Sequence, residues 1–367
     1  MRDEALYSRF PSLTTPKVRN MGRIRVAVAG VGNCCSALVQ GVYYYREAEP
    51  IGLLHEEVGG YRVDDIEFVA AFDIDGRKVG RDLSEAIFSE VNEAPKFMEV
   101  PRLGVEVKKG PVLDGVSDLT KEFIMVSGDE EVDVAEELRR SGADMLVNLI
   151  SGGAEEASRF YAEAALEAGC AFINVTPAMI ASDPAWAERF KASKLPLVGD
   201  DLLDQVGATA LHMALLEFLH MRGVRIEESF QLDVGGGMEA LNTLARVREE
   251  KRRIKTQAVA TSIPYEFPLI SGSTDYVDFL GNSRDSFLWV KGRYFGGATF
   301  TIDLKLGTVD APNAGSVLLD VIRAVKLSLD RGLSGVIIPI SAYAFKNPPK
   351  RYRLSEAHRL FEEFISG

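Results

Sequence analysis

The sequence is poor in cysteine, with only Cys34, Cys35 and Cys170 among 367 residues. Two adjacent thiols and one distant thiol form neither a disulfide framework nor a C-x-x-C metal motif, so we expect reduced thiols in a cytoplasm. Long apolar runs are also missing. No stretch of about eighteen uncharged apolar residues occurs, and the first twenty residues lack the apolar core of a signal peptide. These absences argue against a secreted disulfide-rich protein and against a helical membrane protein.

Positive charge is scarce as well, because 42 Lys and Arg face 54 Asp and Glu, for a net charge of −12. Nucleic acids and anionic membranes are bound mainly by an excess of Lys and Arg, so we expect neither as a partner. A small anionic substrate is compatible with this balance if cations are concentrated locally. Histidine is also rare, and its positions show no metal-ligand spacing: His55, His212, His220 and His358.

The length predicts two domains, since single hydrophobic cores rarely grow beyond about 300 residues. In the first half, apolar strand-like runs alternate with helical stretches, which is typical of a doubly wound α/β sheet. The predicted strands are 24–30, 66–75, 144–150, 171–176 and 195–201, with helices after residue 33 and at 154–168 and 184–192.

After Asp201 the pattern changes to a long helix, a strand, a charged helix near 238–253 and a hairpin around Gly296 and Gly297. This order predicts an inserted, antiparallel, sheet-rich α+β domain at 203–310. A Rossmann-like domain would then comprise residues 1–202 and 311–367. The segment before Met21 is expected to be a loose tail or an extended start.

A glycine corner in "VAVAGVGNCC" follows the first strand. Gly30 and Gly32 would allow a tight turn and a close approach to a dinucleotide pyrophosphate at the following helix N-terminus. Cys35 stands where a third glycine is usual, and its small side chain is compatible with close packing. The alternative is an ordinary glycine-rich corner of an α/β protein.

Asp73 ends the second predicted strand, where an acid can accept hydrogen bonds from ribose hydroxyls and repel a 2′-phosphate, which would select NAD over NADP. Its distance from the glycines is about double the usual twenty residues. An insertion at 48–65 would account for the excess. The alternative is a solvated aspartate at the end of a strand.

Several blocks together resemble the inositol-1-phosphate synthase family, in its short bacterial and archaeal form. From about residue 24 to the C-terminus, they follow the order "VAVAGVGNCCSALVQGVYYY", "FVAAFDID", "NVTPAMIASDPAWA", "VGDD", "LDVGGGMEALN", "KRRIKTQAV", "DAPNAG" and "SAYAFKNPP". The resemblance implies an NAD-dependent isomerase that converts glucose 6-phosphate to inositol 1-phosphate, for inositol and phospholipid synthesis. It also implies a homotetramer assembled through the inserted domain.

The chemistry that the resemblance implies is oxidation at C5, enolisation at C6, aldol closure onto C1 and return of the same hydride. Such a sequence needs cations beside oxygens that become negative, and an amine that exchanges protons near neutral pH. Lysine suits both tasks because desolvation and neighbouring cations lower its pKa.

Lys251 and Lys255 lie four residues apart in "KRRIK", which places them on one helix face if the helix continues, crowded by Arg252 and Arg253. A basic cluster alone is usually a solvated helix end. The match to paired lysines of the family assigns these two to the phosphate and to proton transfer, without separating their roles.

Three further residues match active-site positions of the family. Lys346 in "FKNPP" matches a lysine proposed to assist proton removal at C5, and Asp310 and Asp201 match acids that could orient the amines or touch the nicotinamide end of the cofactor. The alternatives are a loop lysine and aspartates that cap a following helix.

The sequence departs from the family in two places. Gly237 and Glu239 stand where the family often has Asn and Asp, which leaves the use of a divalent or monovalent cation open. A further family lysine on the hairpin aligns near Thr299 or Thr301, and Lys305 or Lys291 could replace it.

The predicted cofactor contacts come from the glycine corner and from the ends of strands, where open α/β sheets bind their ligands. They are Gly30, Gly32, Asn33, Cys34, Cys35, Asp73, Ser151, Gly152, Thr176, Asp200, Asp201 and Glu239. Two alternatives to the synthase remain: an NAD-dependent dehydrogenase of a phosphorylated sugar or polyol, and a catalytically silent NAD-binding oligomer.

Overall fold

The computed structural model describes residues 22–367, apart from the side chains of residues 273 and 274, so the predicted tail before Met21 lies outside the described residues. The strands of this part are β1 (Ile24–Ala29), β2 (Glu57–Val58), β3 (Tyr61–Arg62), β4 (Ile66–Asp73), β5 (Val107–Lys109), β6 (Met145–Asn148), β7 (Ala171–Asn174), β8 (Pro196–Val198), β9 (Arg225–Gly235), β10 (Leu269–Tyr276), β11 (Ser283–Arg293), β12 (Thr299–Val309) and β13 (Gly335–Val336). The helices are α1 (Asn33–Tyr44), α2 (Leu83–Ala86), α3 (Val134–Ser141), α4 (Glu155–Ala168), α5 (Pro184–Ala192), α6 (Ala208–Met221), α7 (Met238–Asn242), α8 (Arg248–Ala260), α9 (Asp310–Asp330), α10 (Ile338–Ala344) and α11 (Leu354–Ser366).

Seven strands form one parallel sheet in the order β13-β8-β7-β6-β1-β4-β5. Their apolar runs are buried because helices cover both faces, with α1 and α9 on one side and α3, α4 and α5 on the other. The doubly wound fold is confirmed. The chain reverses its direction across the sheet at β1, and ligands of such sheets bind beside that reversal.

The second sheet has the order β10-β9-β11-β12. Strands β11 and β12 form the expected antiparallel hairpin, and β11 is also antiparallel to β9. The expectation of an entirely antiparallel sheet is wrong, because β10 runs parallel to β9. The reason is that α7 and α8 connect these two strands as a crossover, which brings the chain back in the same direction.

Helices α6 and α8 cover the inner face of the second sheet, where Met213, Leu216, Val259 and Val290 pack together. The predicted charged helix is longer than expected, since a π-helical turn at Thr243–Val247 joins α7 to α8, which ends at Ala260. These elements fall within the predicted inserted unit, whose borders stay a prediction. Within residues 22–367, no helix combines the length and the apolar character needed to span a bilayer.

Candidate active site

A large cleft runs from the carboxyl ends of β1, β4, β6 and β7 to the second sheet. Its glycine part is lined by Gly30, Gly32, Asn33, Asp73 and Lys78. Its lysine part is lined by Lys251, Lys255, Lys346, Arg284 and Asp310. The fold therefore brings the predicted glycine corner and the predicted lysines to the walls of one cavity.

The glycine corner connects β1 to α1. Gly30 has φ +90°, and a Cβ there would lie 2.7 Å from the carbonyl atoms of Leu149, so a larger residue would not fit. At Gly32 a Cβ would meet nothing within 4 Å, so space is open beside the backbone. Gly32 also has no side chain to cap α1, and no acid occupies the first turn of this helix. The N-terminus of α1 thus offers backbone N–H groups and a positive dipole end to an anion in the cleft.

Asp73 fastens the end of β4 to the glycine corner. Its Oδ2 accepts a hydrogen bond from the Val31 backbone N–H at 2.7 Å, and its Oδ1 accepts from those of Ile74 and Asp75 at 2.7 and 2.9 Å. The Nζ of Lys78 lies 3.9 Å from Oδ2. Asp73 lines the cleft as predicted, but it also holds the loop in place.

Two predicted cofactor contacts are fully buried and are not among the residues that line the cleft. Cys35 is fully buried in the core cluster that packs α1 against the sheet, and this burial raises the pKa of its thiol. Asp200 is also fully buried, and its carboxylate accepts hydrogen bonds from the backbone N–H groups of Ile180, Ala181 and Ser182. Burial raises the pKa of Asp200 to about 6. Both residues thus belong to the framework of the cleft in this structure, and their contact with the cofactor stays a prediction.

The other predicted cofactor contacts line the cleft: Asn33, Cys34, Ser151, Gly152, Thr176, Asp201 and Glu239. Asn33 does so while its Oδ1 accepts hydrogen bonds from the backbone N–H groups of Glu93 and Ala94. Glu239 accepts a hydrogen bond from the Gly152 N–H at 3.4 Å, which ties α7 to the loop after β6.

Lys251 and Lys255 lie one turn apart on α8, and both face the cleft, which is the arrangement that their spacing predicts. Lys251 forms an ion pair with Glu239, and the Nζ of Lys255 lies 2.8 Å from Asp233 Oδ2. The expected crowding by neighbouring arginines is wrong. Arg252 pairs with Glu249 and Arg253 is exposed.

Lys346 reaches the same region from the loop after α10. Its Nζ lies 3.6 Å from both Asp201 Oδ1 and Asp204 Oδ2, and its backbone N–H donates to the Asp201 carbonyl at 2.7 Å. The other oxygen of Asp201 is buried and accepts no hydrogen bond from the described part of the chain. Asp201 thus supports the lysine and keeps one acceptor available in the cleft.

Sequence reasoning missed Arg284, which lines the cleft from β11. Its Nε and Nη2 donate to the Asp310 carboxylate at 2.6 to 3.0 Å. The two lysines suggested as replacements for the hairpin lysine lie elsewhere, because Lys291 pairs with Glu228 and Lys305 pairs with Asp285. No local sequence signal identifies Arg284, because its approach to Asp310 depends on the hairpin register, which pairs Arg284 with Thr308, two residues before Asp310.

The surroundings give the three lysines different proton affinities. Burial lowers the pKa of Lys255, and the cations Arg284, Lys346 and Lys251 lower it further, against the opposing effect of Asp233. For Lys251 and Lys346, burial is outweighed by carboxylates, and the pKa of each is raised. Lys255 is therefore the lysine best suited to exchange protons, whereas the other two remain ammonium groups.

The carboxylates of these pairs are stabilised as anions. Burial disfavours the charged form of Asp233, but Lys255 and Arg284 outweigh it and lower its pKa, and Lys251 does the same for Glu239. In residues 22–367, no group of three or more His, Cys, Asp and Glu side chains is placed to hold a metal ion.

Comparisons with known proteins agree with this geometry. The family model for myo-inositol-1-phosphate synthase matches residues 207–311. An inositol-3-phosphate synthase of Corynebacterium glutamicum is 44% identical over 93% of this chain and 98% of its own, and one of Mycobacterium tuberculosis is 43% identical over 98% and 100%. A solved myo-inositol-1-phosphate synthase-related protein of Thermotoga maritima is 25% identical, with a TM-score of 0.77 over 94% of this chain and 98% of its own. The chain belongs to the myo-inositol-1-phosphate synthase family.

Proposed function

We propose that this protein converts glucose 6-phosphate to inositol phosphate (1D-myo-inositol 3-phosphate, also numbered L-myo-inositol 1-phosphate), with NAD as a hydride carrier that is regenerated in each cycle. The observation that carries the proposal is one cleft with a glycine corner in one part and four cations, Lys251, Lys255, Lys346 and Arg284, in the other. The product would serve inositol and phospholipid synthesis in the cytoplasm. The name of the relatives, inositol-3-phosphate synthase, supports the same reaction.

The residues of the glycine part fit NAD. The uncapped N-terminus of α1 and the open space at Gly32 suit a pyrophosphate. Asp73 lies at the end of β4, where the adenosine ribose binds in such sheets, and Ser151 lies beyond β6. NAD held by these residues would supply reversible hydride transfer at C5 of the sugar.

The residues of the lysine part would divide the remaining work. Lys255, whose pKa is lowered, takes and gives protons. Lys251, Lys346 and Arg284 keep their charge, so they bind the phosphate and stabilise the sugar oxygens that become negative. Arg284 takes the place of the hairpin lysine that the family resemblance predicts. As an arginine it contributes charge but exchanges no proton.

The outer face of the second sheet supports self-association, and we propose that it assembles the homotetramer expected for the family. Phe230, Leu232, Ile270 and Phe287 on this face are each 37 to 45% exposed, and Phe230 stacks on Trp289 with ring centroids 5.5 Å apart. Contiguous exposed apolar residues of this kind mark association surfaces. We place the subunit contact on this face.

The test is to incubate the purified protein with NAD and glucose 6-phosphate and to measure inositol phosphate and NADH together. We expect inositol phosphate without accumulation of NADH. Stoichiometric NADH would identify a dehydrogenase, and NAD binding without turnover of any hexose phosphate would identify a silent paralogue.

Two alanine variants on α8, one at Lys255 and one at Arg253, extend this test. Lys255→Ala should lose at least about a thousandfold in kcat if the lysine transfers protons. Arg253→Ala is the matched control, because it removes an exposed cation from the same helix, two residues away. It should retain wild-type activity. Equal activity of both variants would contradict the assignment of Lys255.

A further inference from the structure

Asp233 is a buried carboxylate to which neither motif nor resemblance gave a role. It lies on β9, lines the cleft and is 2% exposed. Its Oδ2 accepts from Lys255 Nζ at 2.8 Å, and its Oδ1 accepts from Ser286 Oγ at 2.7 Å. Gln231 Nε2 lies 3.0 Å from both oxygens. The carboxylate is thus held from β9, β11 and α8 at once.

A second layer of polar groups fixes the orientation of Gln231. Its Oε1 accepts a hydrogen bond from Ser271 Oγ at 2.9 Å and lies 3.4 Å from His212 Nδ1. The Nε2 of His212 lies 2.7 Å from Ser229 Oγ, and burial lowers the pKa of this histidine to about 4. The histidine is therefore neutral at pH 7. These groups hold Asp233 rigidly without adding charge beside it.

Charged groups from β9, β11, α8 and the loop after α10 act on the Lys255 amine. Asp233 on β9 favours its ammonium form, whereas Arg284 on β11, Lys346 after α10 and Lys251 on α8 favour the neutral amine. On the side of β10, the lysine stem packs against Gly272. Asp233 therefore opposes the effect of three cations on this amine.

We propose that Asp233 is a positioning residue for Lys255, which fixes the amine in the cleft and supplies the counter-charge that lets it regain a proton. The inference rests on the proposed function. The neutral amine takes a proton from C6, leaving the C–H electron pair in the enolate. When C6 attacks C1, the resulting ammonium gives that proton to the C1 oxygen, so no proton is gained or lost overall.

The test is Asp233→Asn, a change of charge at nearly constant shape. Competitive acetylation of amines by acetic anhydride at different pH values, read by mass spectrometry, reports the pKa of Lys255 directly. Loss of the counter-charge should lower that pKa by about one unit or more, and the pH profile of kcat should move in the same direction. The KM for glucose 6-phosphate should change by less than about threefold, since the phosphate contacts remain.

Ser286→Ala is the matched control, because it removes one hydrogen bond to Asp233 but keeps the carboxylate. Its pH profile should not move to lower pH. If Asp233→Asn does not fold, Asp233→Ser makes the same charge change with a smaller side chain. An unchanged pKa of Lys255, or a loss of activity that is equal at all pH values, would overturn the inference.

The labelling experiment needs no substrate, so it separates two kinds of failure. A wild-type protein that makes no inositol phosphate contradicts the proposed function, whatever the labelling shows. A pKa of Lys255 that does not respond to Asp233→Asn contradicts the role of Asp233, even if the wild-type protein is an active synthase.

Discussion

Gly272 offers a quantitative test of the position of Lys255. The residue has φ +85°, and a Cβ at this position would lie 2.2 Å from Lys255 Cδ and 3.2 Å from Lys255 Cβ and Cε. The lysine stem cannot simply move aside, because its Nζ is held by Asp233. Gly272→Ala must therefore strain the backbone and also displace Lys255.

The two effects can be estimated separately. An alanine in the left-handed region costs about 1–2 kcal/mol. Separating a buried ion pair so that one charge loses its partner costs about 3–5 kcal/mol. We therefore expect the free energy of unfolding of Gly272→Ala to fall by about 4–7 kcal/mol if Lys255 is fully displaced, and kcat to fall with it.

Gly223→Ala is the matched control for backbone strain. Gly223 follows α6 with φ +76°, and a Cβ there would meet nothing within 4 Å. This variant should lose only about 1–2 kcal/mol and keep its activity. Urea unfolding at one fixed protein concentration gives the free energy of unfolding of both variants. If the two variants unfold at the same urea concentration and both remain active, Lys255 does not pack against Gly272.

Three further perturbations test other parts of the structure. Arg284→Met should lower kcat/KM for glucose 6-phosphate, measured by initial rates, by about a hundredfold or more. The affinity for NAD, measured by titration, should not change, and weaker NAD binding would contradict the place of Arg284 in the lysine part. Hydrogen bonding to Asp320 raises the pKa of His55, so its stabilisation is complete below its unfolded pKa and is lost as pH rises through the folded pKa. The thermal midpoints of the wild type and His55→Asn should therefore converge as the pH is raised through the folded pKa of His55, and a constant gap would refute this. Phe230→Asp should reduce the mass measured by light scattering below that of a tetramer, and a persistent tetramer would contradict the proposed subunit contact.

Local patterns predicted much of this fold, because they depend on residues close in sequence. The glycine corner could be found because a strand and a helix must meet there, and the parallel sheet could be predicted from alternating apolar runs and helices. The shared face of Lys251 and Lys255 follows from the helical period alone. In each case a few residues of context determine the geometry.

The missed and wrong predictions concern contacts set by tertiary register. Nothing near Arg284 in the sequence indicates that pairing of β11 with β9 and β12 aims it at Asp310. Asp200 and Asp201 are adjacent, yet one accepts hydrogen bonds from a framework loop and the other faces the cleft. The direction of β10 could be predicted only by recognising that α8 belongs to a crossover between β9 and β10. Sequence identifies such residue types but not their partners.

The charge balance of the lysine part constrains how a phosphate can enter. Among the described lining residues, the four cations are already paired with five carboxylates: Asp201, Asp204, Asp233, Glu239 and Asp310. A dianionic phosphate must therefore compete with a carboxylate for a cation. The pair that is easiest to open is the one whose carboxylate is most exposed.

That pair is Lys251 with Glu239, since the Glu239 side chain is 43% exposed and that of Asp233 only 1%. Glu239→Gln removes the competing charge and keeps an acceptor for the Gly152 N–H. Because a partly exposed ion pair contributes up to about 1 kcal/mol, the KM for glucose 6-phosphate should fall by about three- to fivefold with kcat no higher. The measurement is steady-state kinetics of both this variant and Glu249→Gln. The second variant removes an exposed carboxylate from α8 and so controls for the change in net charge. A raised KM would show instead that Glu239 itself contacts the substrate, and the phosphate would then have to bind another cation.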